Sequence, residues 1–264
     1  MAEKEKPVLY EPSLEGITTI TINRPHVRNA VNRAAAADLA EAFRAFENDS
    51  SQKVCVLTGA GDSFCAGYDL HEVAAASALP PELARKHASA AEPVDRLNGA
   101  IGPMGPSRMA FTKPIIAAVS GHAVAGGLEL SLLADKVVGL GRAMDMILTG
   151  RAVCADEALA FGLVNRVVAG KGEALREARR LAGALLGFPE KCMRADLVSA
   201  RYSAYDAKGL EDALRFEFER GEKVILDEGV AGAKRFDGGA GRGGRFDNHD
   251  GCGHGAKSRN GSRL

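Results

Sequence analysis

Two patterns of apolar residues alternate along the first half of the chain and predict different elements. The β-branched alternation of Ile17–Ile22 is typical of a strand, which Pro25 ends. The apolar runs at 54–57 and 115–119 indicate two more strands. Residues 32–48 repeat their apolar positions with the period of an amphipathic helix. Strand–helix–strand spacing predicts crossover units of an α/β fold rather than an antiparallel sandwich.

The second half of the chain shows helical periodicity instead. Helices are expected over three segments, 173–186, 190–198 and 209–226. Residues 73–98 are also mostly helical in pattern, with an interruption at Pro80 and Pro81. We therefore divide the chain into a core at 1–170, a helical region at 171–237 and a tail at 238–264. The tail consists largely of Gly, Asn, Asp, Arg and His, and it holds too little apolar area to offset the entropy of ordering.

Composition narrows the class of protein. The 264 residues suffice for one large domain, or for a domain with a helical appendage. The 34 basic and 34 acidic residues cancel, which removes the electrostatic case for nucleic acid or an anionic membrane as the main partner. Five scattered cysteines predict neither a disulfide scaffold nor a metal site. No apolar run reaches membrane-spanning length, and the first residues resemble neither a secretory signal nor a transit peptide.

The segment 117–130 carries the clearest chemical signal. An apolar strand is followed by a turn of small residues and a helix with Glu129 in its first turn. Gly126 and Gly127 allow a ligand to approach the backbone, and free N–H groups at a helix start attract an oxyanion. Glu129 stands among Leu128, Leu130, Leu132 and Leu133, so we expect an apolar setting that tunes its proton affinity. Oxyanion donors beside a carboxylate predict carbonyl chemistry. The alternative is a capping glutamate, although a capping box requires Ser or Thr where Gly126 stands.

A second small-residue loop follows the strand at 54–57. Residues 64–70 read Phe-Cys-Ala-Gly-Tyr-Asp-Leu, and such a loop is able to offer the N–H of Tyr68 to a carbonyl oxygen. The alternative is a plain strand-to-helix connection. We expect Asp69 to hold the loop by accepting backbone N–H groups.

The two segments, together with Asn-Arg-Pro at 23–25 and Asn29-Ala30, resemble the enoyl-CoA hydratase/isomerase (crotonase) family. The resemblance resumes at 144–151 and 158–164, and it extends from about residue 8 to 241. It implies an α/β fold with a crotonase-like core, a spiral of repeated strand-helix (ββα) units, followed by a C-terminal helical region. It also implies an acyl-CoA substrate and neither metal nor separate cofactor, since coenzyme A is part of the substrate.

The resemblance assigns roles by position. The thioester carbonyl would lie between the N–H groups of Tyr68 and Gly126, and Glu129 matches the first catalytic glutamate. The remaining positions implied to contact substrate are Arg28, Ala30, Ala66, Gly67, Asp69, Leu70 and Gly127. Arg28 has the charge to pair with a phosphate of the CoA nucleotide. The alternative for Arg28 is a solvated arginine at a helix start.

One part of the family pattern is missing. Family members continue past the position of Asp135 through a strand, an active-site turn and a Gly-Gly-Thr segment. Here the chain runs from about Val138 directly to Ala143, so one strand-helix-strand unit of ~30 residues is absent. That unit supplies the second acid/base residue of hydratases. Asp145 is the nearest substitute, although we expect it to face solvent at a helix start.

Two functions therefore stay open. The first is an enzyme, either a hydratase (a lyase) or an isomerase, that stabilises an enolate and transfers a proton. The second is a catalytically impaired protein of the same fold that binds acyl-CoA or forms oligomers. An RNA-binding role for the Gly- and Arg-containing tail is a weaker rival, which the neutral net charge disfavours.

Assembly and location follow from the resemblance and from the C-terminus. In the family the helical region packs between subunits, which implies a homotrimer or a dimer of trimers. The last residues, Ser262-Arg263-Leu264, are a variant of the Ser-Lys-Leu peroxisomal address, so we expect a cytoplasmic or peroxisomal protein.

Overall fold

A computed structural model describes residues 6–77, 80, 102–134, 139–230 and 232. Its sheet has four strands in the order of the chain, namely β1 (Val8–Pro12), β2 (Ile17–Ile22), β3 (Val54–Gly59) and β4 (Ile115–Ala118). Strand β1 pairs antiparallel with β2, whereas β2 with β3 and β3 with β4 pair in parallel. The carboxyl ends of β2, β3 and β4 consequently share one edge of the sheet, where ligands bind in open α/β sheets. The three predicted strands are confirmed, and β1 is an addition.

The helices occur largely where the periodicity places them. They are α1 (Arg33–Asn48), α2 (Leu70–Ser77), α3 (Gly126–Ser131), α4 (Leu140–Thr149), α5 (Ala155–Phe161), α6 (Glu173–Leu185), α7 (Glu190–Tyr205) and α8 (Leu210–Val224). The helix predicted at 190–198 runs on to Tyr205. Most of the segment predicted as helix at 73–98, the break after Val138 and the tail at 238–264 lie outside the described residues. Among the helices that are described, none is long and apolar enough to cross a membrane.

The sheet is covered on both faces. Successive side chains of β3 alternate between the faces, as the strand period of two requires. Cys55 and Leu57 pack in the cluster that contains Leu39, Phe43 and Phe46 of α1. Val54 and Val56 pack on the opposite face, against Ala178 and Ala182 of α6. The crossover helix α1 thus covers one face of the sheet and α6 covers the other, beneath the loops at its carboxyl edge.

A buried lysine closes the C-terminal end of α1. Lys113 is 1 % exposed, and its Nζ donates to the carbonyl oxygens of Phe46 (2.6 Å) and Asp49 (2.7 Å). Its charge also complements the negative end of the helix dipole. Burial lowers the pKa of the Lys113 amine. Lys113 satisfies acceptors that the end of a helix otherwise leaves without a partner.

Replacing Lys113 with Met is expected to lower the free energy of unfolding by about 2 kcal/mol, because the buried carbonyl of Phe46 and the partly buried carbonyl of Asp49 lose a charged donor. Urea denaturation measures the change. Lys53→Met is the matched control, since Lys53 belongs to a partly exposed ion pair with Glu190 (2.6 Å) and such pairs contribute about 0–1 kcal/mol. Equal stability of the Lys113 variant and the wild type would contradict this account.

The position of Asp145 within its helix differs from the expectation. It lies in the middle of α4 rather than at a helix start, because the helix begins earlier, at Leu140. Its carboxylate accepts a hydrogen bond from Nε of Arg151 (2.8 Å), and the same guanidinium contacts Glu157 of α5. Hydrogen bonds to both carboxylates raise the pKa of Arg151. Asp145 therefore helps to join α4 to α5 through Arg151. The Asp145 side chain is 42 % exposed.

Candidate functional site

The loops that follow β3 and β4 lie side by side. Cys65 of the first loop donates its N–H to the carbonyl of His122 (3.0 Å), and Val124 of the second donates to the carbonyl of Cys65 (3.0 Å). These bonds form an isolated parallel bridge between Cys65 and Ala123. The two segments that carry the predicted chemistry are thereby brought together at the carboxyl edge of the sheet.

Hydrogen bonds to Val31 determine which way the main chain of Tyr68 faces. Val31 donates its N–H to the carbonyl of Gly67 (2.8 Å) and accepts the N–H of Asp69 (2.9 Å). Because Val31 bonds to both neighbours of Tyr68, the N–H of Tyr68 points away from Val31. Gly67 has a φ of 91°, and a methyl group built on it would lie 3.3 Å from the nitrogen of Gly126. The residue before Tyr68 is thus a close neighbour of Gly126.

Gly126 is presented by a tight turn at the start of α3. Gly127 donates to the carbonyl of Val124 (2.8 Å), and Ala125 between them has φ 47° and ψ −126°. These angles are those of the second residue of a type II′ turn, where glycine is usual. Ala125 is therefore a strained residue beside the site. Within the described part of the chain, neither the Tyr68 nor the Gly126 main-chain N–H donates to a protein acceptor. Two adjacent donors of this kind suit a carbonyl oxygen that gains negative charge.

Both glycines of the turn are in close contact with their surroundings. A methyl group on Gly127 would lie 2.1 Å from the carbonyl oxygen of Cys65. One on Gly126 would lie 2.8 Å from Cγ and Sδ of Met104, which is a buried residue. Sequence reasoning missed Met104, since the surrounding Gly and Pro residues predict only a helix break. Met104 lies directly against the predicted oxyanion donor.

Gly127→Ala is expected to lower the free energy of unfolding by about 2 kcal/mol or more, because the new methyl group overlaps backbone that has no room to move. Gly183→Ala is the matched control. Gly183 lies inside α6 with nothing near its added methyl group, so alanine there should stabilise the chain by about 0.5–1 kcal/mol. Thermal unfolding compares the two variants, and an unchanged melting temperature for Gly127→Ala would refute the close packing.

Glu129 does not lie in the apolar setting that its neighbours in sequence suggested. Its side chain is exposed on α3, whereas Leu130 is fully buried. Consecutive helix residues point about 100° apart, so leucines adjacent in sequence need not surround the carboxylate. No described residue forms a hydrogen bond or ion pair with the Glu129 carboxylate. The carboxylate is therefore available at the surface of the helix that begins with Gly126.

Asp69 has partners for both carboxylate oxygens. Oδ2 pairs with Nη1 of Arg24 at 2.9 Å, and Oδ1 accepts the N–H of His71 at 3.1 Å. The bond from His71 agrees with the predicted role of holding the loop. Arg24 was missed, because its only signal was a place in the Asn-Arg-Pro motif. The Arg24 guanidinium also donates to the carbonyl of Ala30, which joins two of the predicted positions.

The remaining predicted positions fall into a buried group and an exposed group. Gly67 and Ala30 are buried and Ala66 is partly buried, close to the junction. Arg28 is exposed at a φ of 52°, and its carbonyl accepts the N–H of Ala66 (3.0 Å). Leu70 is 76 % exposed at the start of α2. The Arg28 side chain is thus accessible to an anionic ligand, as a phosphate contact requires.

The Tyr68 side chain is anchored by a glutamate that the sequence did not single out. The Tyr68 hydroxyl donates to Oε2 of Glu72 (3.0 Å), which also accepts the N–H of Arg33 at the start of α1 (2.9 Å). Burial, followed by the contact with Glu72, raises the pKa of Tyr68. The phenol is therefore neutral near pH 7, and Glu72 ties α2 to the start of α1.

A cavity of about 530 Å³ lies elsewhere, between α7 and α8. Thr112, Arg194 and Phe216 are among its lining residues. Thr112 precedes β4, so the cavity is at the amino-terminal edge of the sheet, opposite to the two loops. It is separate from the candidate site. Across the described ranges, no group of three or more His, Cys, Asp or Glu residues is placed to hold a metal ion.

Known proteins resemble this chain in sequence. The family model for enoyl-CoA hydratase/isomerase matches residues 13–139. The enoyl-CoA hydratase EchA19 of Mycobacterium tuberculosis is 32% identical over 255 residues, covering 82% of this chain and 88% of that protein. The probable peroxisomal enoyl-CoA hydratase 1 of Arabidopsis thaliana is 32% identical over 201 residues, covering 65% of this chain and 69% of that protein.

Solved structures show the same fold. The crystal structure of the enoyl-CoA hydratase EchA1 from Mycobacterium marinum superposes with a TM-score of 0.72 at 29% identity, covering 89% of this chain and 96% of that chain. The α/β architecture predicted from the sequence is thus that of the crotonase fold. From these matches, together with the paired loops, we conclude that the chain belongs to the enoyl-CoA hydratase/isomerase family.

Proposed function

We propose that this chain binds an enoyl-CoA thioester and catalyses proton transfer at the carbons next to its carbonyl. The observation that carries the proposal is the pair of main-chain donors at Tyr68 and Gly126, side by side and without protein acceptors in the described ranges. The thioester oxygen accepts both N–H groups. Glu129, three residues after Gly126, is the base or acid that exchanges the proton.

The chemistry follows from the charge that develops on the oxygen. Removing or adding a proton at the α-carbon passes through an enolate, whose negative charge lies largely on the thioester oxygen. Fixed N–H donors stabilise that charge without reorganising, which makes them more effective in the transition state than in the ground state. In hydration, a water oxygen bonds to the β-carbon and a proton is added to the α-carbon. In isomerisation, one proton leaves one carbon and returns to another.

The CoA portion supplies the binding energy, and no cofactor beyond the substrate is required. Arg28 is exposed two residues before the buried Ala30, and its guanidinium is able to pair with a phosphate. The buried positions Gly67 and Gly127 keep the backbone open at the thioester. Asp69 acts through the loop, because both its oxygens are engaged by Arg24 and His71.

A panel of enoyl-CoA thioesters of increasing chain length tests the proposal. Loss of the ultraviolet absorbance of the conjugated thioester measures hydration, and product analysis of a β,γ-unsaturated thioester measures isomerisation. Turnover of any member supports the enzyme. Tight binding without turnover would favour the non-catalytic alternative, which the comparisons with hydratases do not favour. Absence of binding to every member would refute the proposal.

The assembly we propose is a homotrimer or a dimer of trimers, with the helical region 171–237 between subunits. Apolar side chains spaced four residues apart are exposed along α8, at Leu210, Leu214 and Phe218. Ile147 and Leu148 of α4 are also exposed, at 71 % and 75 %. Contiguous apolar surface of this kind is usually covered by a partner. Light scattering after size exclusion gives the subunit number.

The location we propose is cytoplasmic or peroxisomal. The Arabidopsis thaliana relative is named as peroxisomal, and Ser262-Arg263-Leu264 resembles a peroxisomal address. A fluorescent protein fused to residues 239–264 is expected to enter peroxisomes of a eukaryotic cell. Deleting Leu264 should return it to the cytosol, because the receptor reads the terminal residue. Diffuse fluorescence of the intact fusion would dismiss the peroxisomal location.

A further inference from the structure

We propose that Arg24 is a positioning residue, which orients the Tyr68 N–H through the buried ion pair with Asp69. The inference rests on the proposed function, because it concerns how that oxyanion donor is held. Arg24 does not act on the thioester itself. Its effect passes through the two chain segments that flank Tyr68.

The Arg24 guanidinium joins both sides of the bridge that aims Tyr68. Its Nη1 contacts the carboxylate of Asp69, directly after Tyr68, and also the carbonyl of Ala30, directly before Val31. Val31 is the residue whose hydrogen bonds to Gly67 and Asp69 turn the Tyr68 N–H outward. One nitrogen therefore links the two chain segments, residues 30–31 and 68–69, at the point where the direction of the donor is determined.

Arg24 is itself held by a second set of bonds. Its main-chain N–H donates to Oδ1 of Asn29 (2.9 Å), and Nδ2 of Asn29 donates to the carbonyls of Ala60 (2.8 Å) and Ser63 (2.6 Å). Asn29 is fully buried in a left-handed conformation with a φ of 58°. The backbone of Arg24 is consequently tied to the loop after β3, and that loop cannot shift relative to Arg24 without breaking these bonds.

Because the Arg24–Asp69 ion pair is largely buried, removing one partner should disturb the loop. The side chains of Arg24 and Asp69 are 13% and 7% exposed. Without the guanidinium, the Asp69 carboxylate would be an uncompensated charge in a poorly hydrated position, and such groups move or recruit water. Either response shifts the residue next to Tyr68. A donor displaced by about 1 Å is able to cost about 10²-fold in rate.

The expected signature is a fall in kcat rather than a rise in KM. The oxyanion donor interacts more strongly with the enolate than with the ground-state carbonyl, so misaligning it affects the transition state most. Arg24→Met should lower kcat by about 10- to 100-fold and change KM by less than about threefold. Arg24→Lys keeps the positive charge but replaces the planar guanidinium with an ammonium group. Its kcat should therefore lie between those of Arg24→Met and the wild type.

The experiment adds a spectroscopic readout that reports the donors directly. A conjugated enoyl-CoA chromophore absorbs at longer wavelength when its carbonyl oxygen accepts strong hydrogen bonds. We expect a red shift on binding to the wild type and a smaller shift on binding to Arg24→Met. Lys113→Met is the matched control, because it removes another buried cation at the opposite edge of the sheet and should leave the shift and kcat of the folded protein unchanged.

The double variant Arg24→Met/Asp69→Asn separates positioning from simple charge neutralisation. It leaves no buried unpaired charge, so we expect its stability in urea to recover while kcat and the red shift stay low. If Arg24→Met alone does not fold, this double variant and Arg24→Lys decide the question. A double variant with wild-type kcat and shift would overturn the inference, as would a single variant that matches the wild type. A wild type that shows neither binding nor shift would instead refute the proposed function.

Discussion

Glu129→Gln is expected to lower the turnover of an enoyl-CoA substrate by about 10²–10⁴-fold, the range typical of a general acid or base. The amide has the shape of the carboxylate but neither takes up nor releases a proton near neutral pH. Glu129 is exposed and lacks a partner among the described residues, so the substitution removes no structural contact. Binding of the CoA ester should therefore change by less than about threefold.

The matched control for this prediction is Glu222→Gln. Glu222 is exposed on α8, and its substitution makes the same change in charge away from the two loops. Initial rates and the dissociation constant of a non-reactive CoA ester are measured for both variants. Undiminished turnover in Glu129→Gln would show that another group carries the proton.

Inserting a family-type segment of ~30 residues between Val138 and Gly139 is expected to raise the rate of hydration by about 10²-fold or more. Hydration needs two acid/base groups, one to activate the water and one to protonate the substrate. Binding of the thioester needs only the main-chain N–H donors. Both donors and Glu129 precede the insertion point. The dissociation constant of the CoA ester should therefore change by less than about threefold.

One observation supports the choice of this point, and a second agrees with missing residues without locating them. The match to the family model ends at residue 139, close to where the family pattern breaks off in the sequence. The alignment with EchA19 spans 255 positions yet uses 82% of these 264 residues, so the relative has additional residues within the aligned span.

An insertion of the same length made of Gly and Ser is the control for the restored segment. It should give no gain in hydration, because it supplies no acid or base. Full hydratase activity in the chain without the insertion would contradict the prediction. In that case a second carboxylate of the chain would be catalytic, with Asp145 the first to test by Asp145→Asn, despite its bonds to Arg151.

The elements of the fold were largely predictable from the sequence. The strands β2, β3 and β4 and the helix α1 follow from local periodicity, which depends only on which residues alternate along a short segment. Strand β1 was missed because its pairing depends on β2, and the five residues Val8–Pro12 carry little pattern of their own. The helix at 190–198 was predicted too short: α7 runs on to Tyr205 and packs against α8.

The chemistry of the site was predictable only in its parts. The small-residue loops and Gly126 indicated main-chain donors, because glycine positions record where a backbone must be approached closely. By itself, then, the sequence determined the elements, the donor-bearing loops and the resemblance to the family. The meeting of the loops through Cys65 and Ala123, the exposure of Glu129 and the Arg24–Asp69 pair were decided by the tertiary structure. These features join residues distant in sequence, or depend on which way a helix face turns, and local patterns carry no information about either.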